Sequence, residues 1–210
     1  YEHLGFDTFL SLEGMEDVEM NSLGWAKDKI YLDEIMKRLE STSARDFIFA
    51  VSVQPHGKYP EEDPYGYYMG QLKEVDDFIK ELIDRLENHR EPTLLVLYGD
   101  HLPPLELTKD DLNNGNLYAT EYVIWNNYGM KEKNQNLMTY ELAAQVLKQA
   151  KIRDRIGPIA STHLQSMSEK KRNELLHLFQ YDMLYGEGYV FNKIPPYINE
   201  EYRWIGADEK

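Results

Sequence analysis

No cysteine occurs in the 210 residues. Disulfides, thiolate metal sites and cysteine nucleophiles are therefore excluded, and the composition fits an extracellular bacterial protein. Positive charge is scarce too: 23 Lys and Arg stand against 37 Asp and Glu, a net charge of −14. Phosphate contacts need clustered basic residues, so nucleic acid is excluded as a partner. The acidity serves solubility. No apolar run approaches the roughly 20 residues that a membrane-spanning helix needs. No signal peptide opens the chain either, and the first residue is Tyr1, which suggests a processed chain or an excised fragment. A Gly-x-Ser-x-Gly elbow, a Gly-rich phosphate loop and a Gly-x-Gly-x-x-Gly turn are all missing. No repeat, low-complexity segment or linker divides residues 1–210, a length that suits one large domain or a domain and an appendage.

What is present is organised around Thr93-Leu94-Leu95-Val96-Leu97-Tyr98-Gly99-Asp100-His101-Leu102-Pro103. An unbroken apolar run closed by turn residues predicts a strand buried on both faces, as in parallel sheets. A second such run, Asp46 to Val53, predicts a second buried strand, and Ala119 to Trp125 a further short one. Between them the spacing turns helical. Leu32, Ile35, Met36 and Leu39 define one buried face behind an N-cap at Asp28. Leu72, Val75, Ile79, Leu82 and Leu86 define another over residues 68–89. Repeated β-α-β order predicts an α/β fold with right-handed crossovers. Later, Thr108 opens a short capped helix, Thr139 caps one burying Leu142, Val146 and Leu147, and Ser168 caps one with Leu175, Leu178 and Phe179 inward. Gly157-Pro158 is a break, and the tail from Gly188 reads as a strand followed by loosely ordered chain.

Ligands of open α/β sheets bind beyond the carboxyl ends of the strands. Asp100 and His101 stand at such an end, and carboxylate oxygen plus imidazole nitrogen suit a divalent cation. The same dipeptide also reads as a capped strand end with a hydrogen-bonded histidine. His56 follows the neighbouring predicted strand, where it reads either as a group holding an oxyanion or donating a proton, or as a surface loop histidine. His3, His89, His163 and His177 read as surface residues. Trp25, Trp125 and Trp204 read as packing. The acidic residues are too numerous for a glycosidase pair to stand out.

Together, Gly5-Phe6-Asp7, the helix entry from Trp25 to Glu34, Phe49-Ala50-Val51-Ser52-Val53-Gln54-Pro55-His56-Gly57-Lys58-Tyr59, Tyr98-Gly99-Asp100-His101-Leu102-Pro103, Tyr122-Val123-Ile124-Trp125 and Tyr181-Asp182-Met183-Leu184-Tyr185-Gly186 resemble the lipoteichoic acid synthase-like sulfatases of the alkaline phosphatase superfamily. The resemblance implies a three-layer α/β/α sandwich, here a partial domain. It implies one divalent metal, commonly manganese, that activates a threonine nucleophile. That threonine takes phosphoglycerol from phosphatidylglycerol and passes it to a glycerol-phosphate polymer, on the extracellular face of the bacterial cell membrane. By the same resemblance Asp100 and His101 match the late pair of metal ligands, and His56 matches the catalytic-site histidine that contacts the phosphoryl group.

The departures from the family pattern also inform. The family's threonine, its acidic metal ligand and its Trp and Arg substrate contacts lie upstream of the Gly-Phe-Asp segment. None of Thr8, Thr42 or Thr93 stands in a matching context. The chain therefore reads as the C-terminal part of a membrane-anchored parent enzyme, inactive by itself and prone to self-association. Two alternatives remain: a sulfuric ester hydrolase or phosphodiesterase of the same fold, and a non-catalytic module that binds surface glycan.

Overall fold

The helical periodicities become two helices joined through a small apolar cluster. The computed structural model describes residues 6–43, 45–131, 133–152, 164 and 166–186. Gly5, His3, His163, Trp204, the break at Gly157-Pro158 and the tail from Gly188 lie outside the described residues. The chain divides into two units, residues 10–132 and residues 1–9 with 133–210.

In the first unit, helix α1 (Ile30–Ser41) packs against helix α2 (Pro64–Glu87). Leu32 of α1 and Leu82 and Leu86 of α2 are each 2% exposed. Ile35, Met36, Leu39 and Phe78 close around them, as the spacing requires. Helix α2 starts earlier than its apolar stripe suggests. The Asp63 carboxylate accepts from the Gly66 N–H, and Pro64 supplies a pre-set φ and no surplus N–H. Its outer face carries the ion pairs Lys73–Asp77, Lys80–Asp84 and Glu81–Arg85 at i,i+4 spacing. No helix among the described residues is long and apolar enough to cross a membrane.

Strand β1 (Leu94–Tyr98) pairs with strand β2 (Tyr122–Asn126), Leu94 opposite Asn126 and Tyr98 opposite Tyr122. The two run antiparallel, which corrects the parallel reading within the described residues. The connection between them carries only a 3-10 turn at Lys109–Asp111 and returns to the end it left. Leu95 and Trp125, partners across the ladder, lie against the helical cluster. The expectation of burial on both faces fails too, since β1 is half-buried at Leu94 to Leu97 and exposed at Tyr98. The segment from Asp46 to Val53 is extended but joins no ladder among the described residues. Ile48, Phe49 and Val51 are 38%, 47% and 49% exposed, so the expected second buried strand is not formed there. One side chain fastens the helices to the hairpin: Asn127 Oδ1 accepts from the Thr93 N–H, and its Nδ2 donates to the Leu86, His89 and Glu91 carbonyls. His89, read as a surface residue, is half-buried by this junction.

In the second unit a 3-10 turn at Thr139–Glu141 leads into helix α3 (Leu142–Gln149). The cap there is Met138, whose N–H donates to the Glu141 carboxylate, rather than Thr139. Glu141 also pairs with Arg172 at 3.6 Å, on helix α4 (Glu169–Leu184). Leu178, expected inward, is 61% exposed. At the end of α4, the Tyr185 and Gly186 N–H groups both donate to the Tyr181 carbonyl. A β-carbon on Gly186 would stand 2.7 Å from the Asp182 Cα, so the closing turn admits only glycine.

Exposed apolar side chains on an extended, unladdered segment favour pairing with another chain. Light scattering should show concentration-dependent self-association. Burial of one such side chain is worth about 1.5–3 kcal/mol, so Phe49→Asp should shift the association midpoint tenfold or more. A monodisperse monomer at all concentrations would remove the basis for this expectation.

Candidate functional site

The candidate site grows from a buried amide. Gln54, 1% exposed, ends the extended segment. Its Oε1 accepts from the Asp28 N–H at 2.8 Å, and its Nε2 donates to Gln71 Oε1 and to Glu74 Oε2 at 3.2 and 2.9 Å. Asn21 Nδ2 donates to both the Gln54 carbonyl and Gln71 Oε1. The Asn21 Oδ1 in turn accepts from the N–H groups of Leu23 and Trp25, which fixes the small loop carrying Trp25. Lys27 bridges Glu19 and Glu74 beside the network.

Asp28 belongs to this network and does not cap α1, whose N-cap is Lys29. The Asp28 carboxylate accepts from the Ser52 hydroxyl and from the Val53 N–H, crossing from the helix entry to the extended segment. Burial pushes its pKa above the ordinary carboxylate value, outweighing the Ser52, Val53 and Gln54 hydrogen bonds that lower it.

From that anchored point the chain turns through Pro55 and presents His56. The His56 N–H donates to the Val53 carbonyl, and the Tyr59 hydroxyl donates to the Pro55 carbonyl. The Trp25 ring meets the His56 ring edge-on, centroids 5.0 Å apart. Trp25 is thus a support for His56, a narrower task than the packing role read from sequence. On the far side the His56 and His101 rings stand 6.3 Å apart at 83°. A β-carbon on Gly57 would meet Pro104 Cγ at 2.8 Å, so glycine lets the two loops close on one another.

The structure thus brings two of the three expected residues, His56 and His101, to one place, with Asp100 adjoining. Asp100 Oδ1 accepts from the His101 N–H and lies 3.7 Å from His101 Nε2. Each imidazole bonds through Nδ1 to a carbonyl, His56 to Gly57 at 2.6 Å and His101 to Leu102 at 2.8 Å. A carbonyl only accepts, so Nδ1 carries a proton in each ring and Nε2 is the nitrogen left for other partners. With the proton on Nδ1, His101 Nε2 is left to meet a metal, and the carbonyl is the usual outer partner of a ligating histidine; a phosphoryl oxygen would call instead for a proton on Nε2. The donor set, one carboxylate and imidazole nitrogen on an open surface, fits a divalent cation. Among the described residues no cluster of three or more His, Asp or Glu side chains holds metal-binding geometry. Asn21, Gln54 and Gln71 escaped the sequence reading. The one available signal was a polar Gln ending an apolar run.

A family model described as Sulfatase matches residues 1–152. A Rhizobium meliloti protein whose name links it to cyclic beta-1,2-glucan modification is 30% identical over 186 residues, covering 71% of this chain and 29% of that protein. The 2,3-bisphosphoglycerate-independent phosphoglycerate mutase of Aeropyrum pernix is 25% identical over 99 residues, 45% of this chain and 22% of the mutase. The chain thus spans under a third of the length of either relative. The solved structure of Streptococcus pyogenes phosphoglycerol transferase GacH, in complex with sn-glycerol-1-phosphate, superimposes with a TM-score of 0.71 at 26% identity. It covers 90% of this chain and 58% of GacH. The expected fold class, α/β and sulfatase-like, is borne out by this similarity.

Two expectations follow from the geometry. A carboxyl whose folded pKa exceeds its unfolded one binds its proton more tightly when folded. Stability therefore falls as pH rises from the unfolded carboxylate value through the raised folded one, and stays level above. Denaturant midpoints measured between about pH 3 and 7 should show this slope, and Asp28→Asn should flatten it. Gly57→Ala should destabilise by about 1–3 kcal/mol through crowding against Pro104, and the His56 ring resonances should shift. An unchanged melting temperature would mean the loops are not in contact.

Proposed function

The chain belongs to the sulfatase family, and on that premise we propose that it is part of a metal-dependent phosphoglycerol transferase of the cell envelope. The observation that carries this reading is the meeting of His56 and His101, each bonded through Nδ1 to a carbonyl, with the Asp100 carboxylate alongside. A relative solved with sn-glycerol-1-phosphate supports the phosphoryl class of substrate. Asp100 and His101 Nε2 would hold a divalent cation, with manganese the expected ion and further ligands supplied elsewhere. Bound there, such an ion supplies Lewis acidity toward a phosphoryl oxygen and lowers the pKa of an oxygen nucleophile.

The remaining chemistry falls to this chain's own side chains. Leu102 and Gly57 carbonyls hold the two rings in the Nδ1–H tautomer, so neither ring needs to turn before it acts. His56, once protonated at Nε2, donates to a phosphoryl oxygen and offsets charge gathering on the transferring group. Trp25 and the Gln54 anchor fix where that donor stands. The donor substrate in this reading is a phosphatidylglycerol-like lipid, handled at the extracellular face by a membrane-anchored parent chain. The family also suits a second outcome, hydrolysis of a sulfate or phosphate ester, and the same assay separates the two.

In the full-length protein, Asp100→Asn combined with His101→Ala should cut phosphoglycerol transfer by more than the roughly 10–100-fold that loss of outer metal partners costs. Transfer left intact in that variant would sink the reading, and release of free sulfate or phosphate instead of transfer would favour hydrolysis. On the 210-residue chain, calorimetry with manganese should give weak binding. A tight stoichiometric site would show that the remaining ligands lie within it.

A further inference from the structure

Asparagine is followed by glycine once in the 210 residues, at Asn114-Gly115. The pair stands on the exposed turn between Lys109–Asp111 and β2. At such a pair the chain can react with itself. The Gly115 amide nitrogen, its proton passed to hydroxide, attacks Asn114 Cγ and closes a cyclic imide. The Cγ–Nδ2 bond breaks, and the amino group leaves as ammonia with a proton from water. Water then opens the imide at one of its two carbonyls. Addition at Cγ leaves aspartate in an ordinary main chain. Addition at the main-chain carbonyl leaves isoaspartate, with the backbone running through Cβ and Cγ. Nothing is oxidised or reduced, and water is the only co-reactant.

The local structure favours this step. Asn114 Oδ1 accepts from the Asn116 N–H at 2.9 Å, which folds the side chain forward over the Gly115 peptide. The same N–H points at the oxygen that gathers negative charge as Cγ is attacked, as a donor of an oxyanion hole does. That donor is itself held, because Asn116 Oδ1 accepts from the Tyr118 N–H at 2.9 Å. The Asn114 amino group, which must leave, has no hydrogen-bond partner among the described residues. Gly115 has φ +60°, and no heavy atom lies within 4 Å of where a β-carbon would stand, so base and water reach the peptide. One bond opposes attack: the Gly115 N–H donates to the Leu112 carbonyl at 3.0 Å. A single turn bond at an exposed corner opens at little cost.

Every other asparagine is followed by a residue with a side chain, which crowds the attacking nitrogen. The smallest such follower is Ser22, after Asn21. Asn21 is 9% exposed, and its amide donates to Gln54 and Gln71 while accepting from the Leu23 and Trp25 N–H groups. Reaction there would have to dismantle the network behind His56.

We propose that Asn114 is a self-modification site of the folded chain, converting to aspartate and isoaspartate without an enzyme. Asn114 shares the wall of a cavity of about 470 Å³ with His101, so each conversion places a new carboxylate in that wall. The site is independent of whatever reaction the parent protein catalyses. On storage at mildly alkaline pH, the folded 210-residue chain should gain the mass difference between a hydroxyl and an amino group. Peptide fragmentation should localise the gain to Asn114, and an isoaspartate-specific methyltransferase should label the stored chain there. The rate should rise with pH, because the attacking amide must lose its proton. Asn114→Gln keeps the amide but has a larger ring to close, so it should lose the label, with circular dichroism confirming the fold. Asn114 unchanged in the folded chain while the urea-unfolded chain converts would overturn the proposal, since the fold would then protect the pair. So would a label retained in Asn114→Gln, or conversion of Asn21 at the same rate.

Discussion

The buried side chain of Gln54 is the constraint on which the described site depends. A primary amide removed from water must find partners for both its oxygen and its amino group, or cost several kcal/mol. Gln54 finds them on two other pieces of chain: the Asp28 N–H before α1, and Gln71 and Glu74 on α2. Satisfying one residue therefore fixes how the helix entry, the long helix and the extended segment meet. Two residues further on stands His56. Its position is set by polar bonds behind it more than by any contact of its own ring with solvent-facing structure.

Polar networks of this kind specify geometry because partial satisfaction is penalised. The apolar cluster supplies the complementary term. Leu32, Leu82 and Leu86 form a small core that would tolerate several relative helix placements of similar burial. Asn21, Gln54 and Gln71 select among them, and Asn127 does the same for the hairpin by drawing the end of α2 onto the start of β1.

Much of this was legible in the sequence, and the reasons for the remainder are physical. Helical periodicity located α1 and α2 because one face of each is buried and the other is wet. The Asp63-Pro64 cap lay upstream of the apolar stripe and so escaped a reading based on periodicity. The strand at Leu94–Tyr98 was found by its apolar run, but strand direction is a property of the connection, and a loop without a full helix gave no crossover. The run from Phe47 to Val53 looks like a buried strand because its residues favour one. A ladder also needs a neighbour, and none is present among the described residues. In the site, Asp100, His101 and His56 were visible as chemistry at loop positions, whereas buried amides carry no periodic mark.

Asp100 and His101 stand largely in water, with side chains 82% and 60% exposed. Two unit charges 4 Å apart interact by about 1 kcal/mol in bulk water and by about 4 kcal/mol at the effective dielectric of a protein surface. The Asp100 carboxylate is thus electrostatically muted as it stands. Its influence on a neighbouring charge grows only as whatever lies over it displaces solvent, so the covering layer sets the strength of the site while these residues set its location.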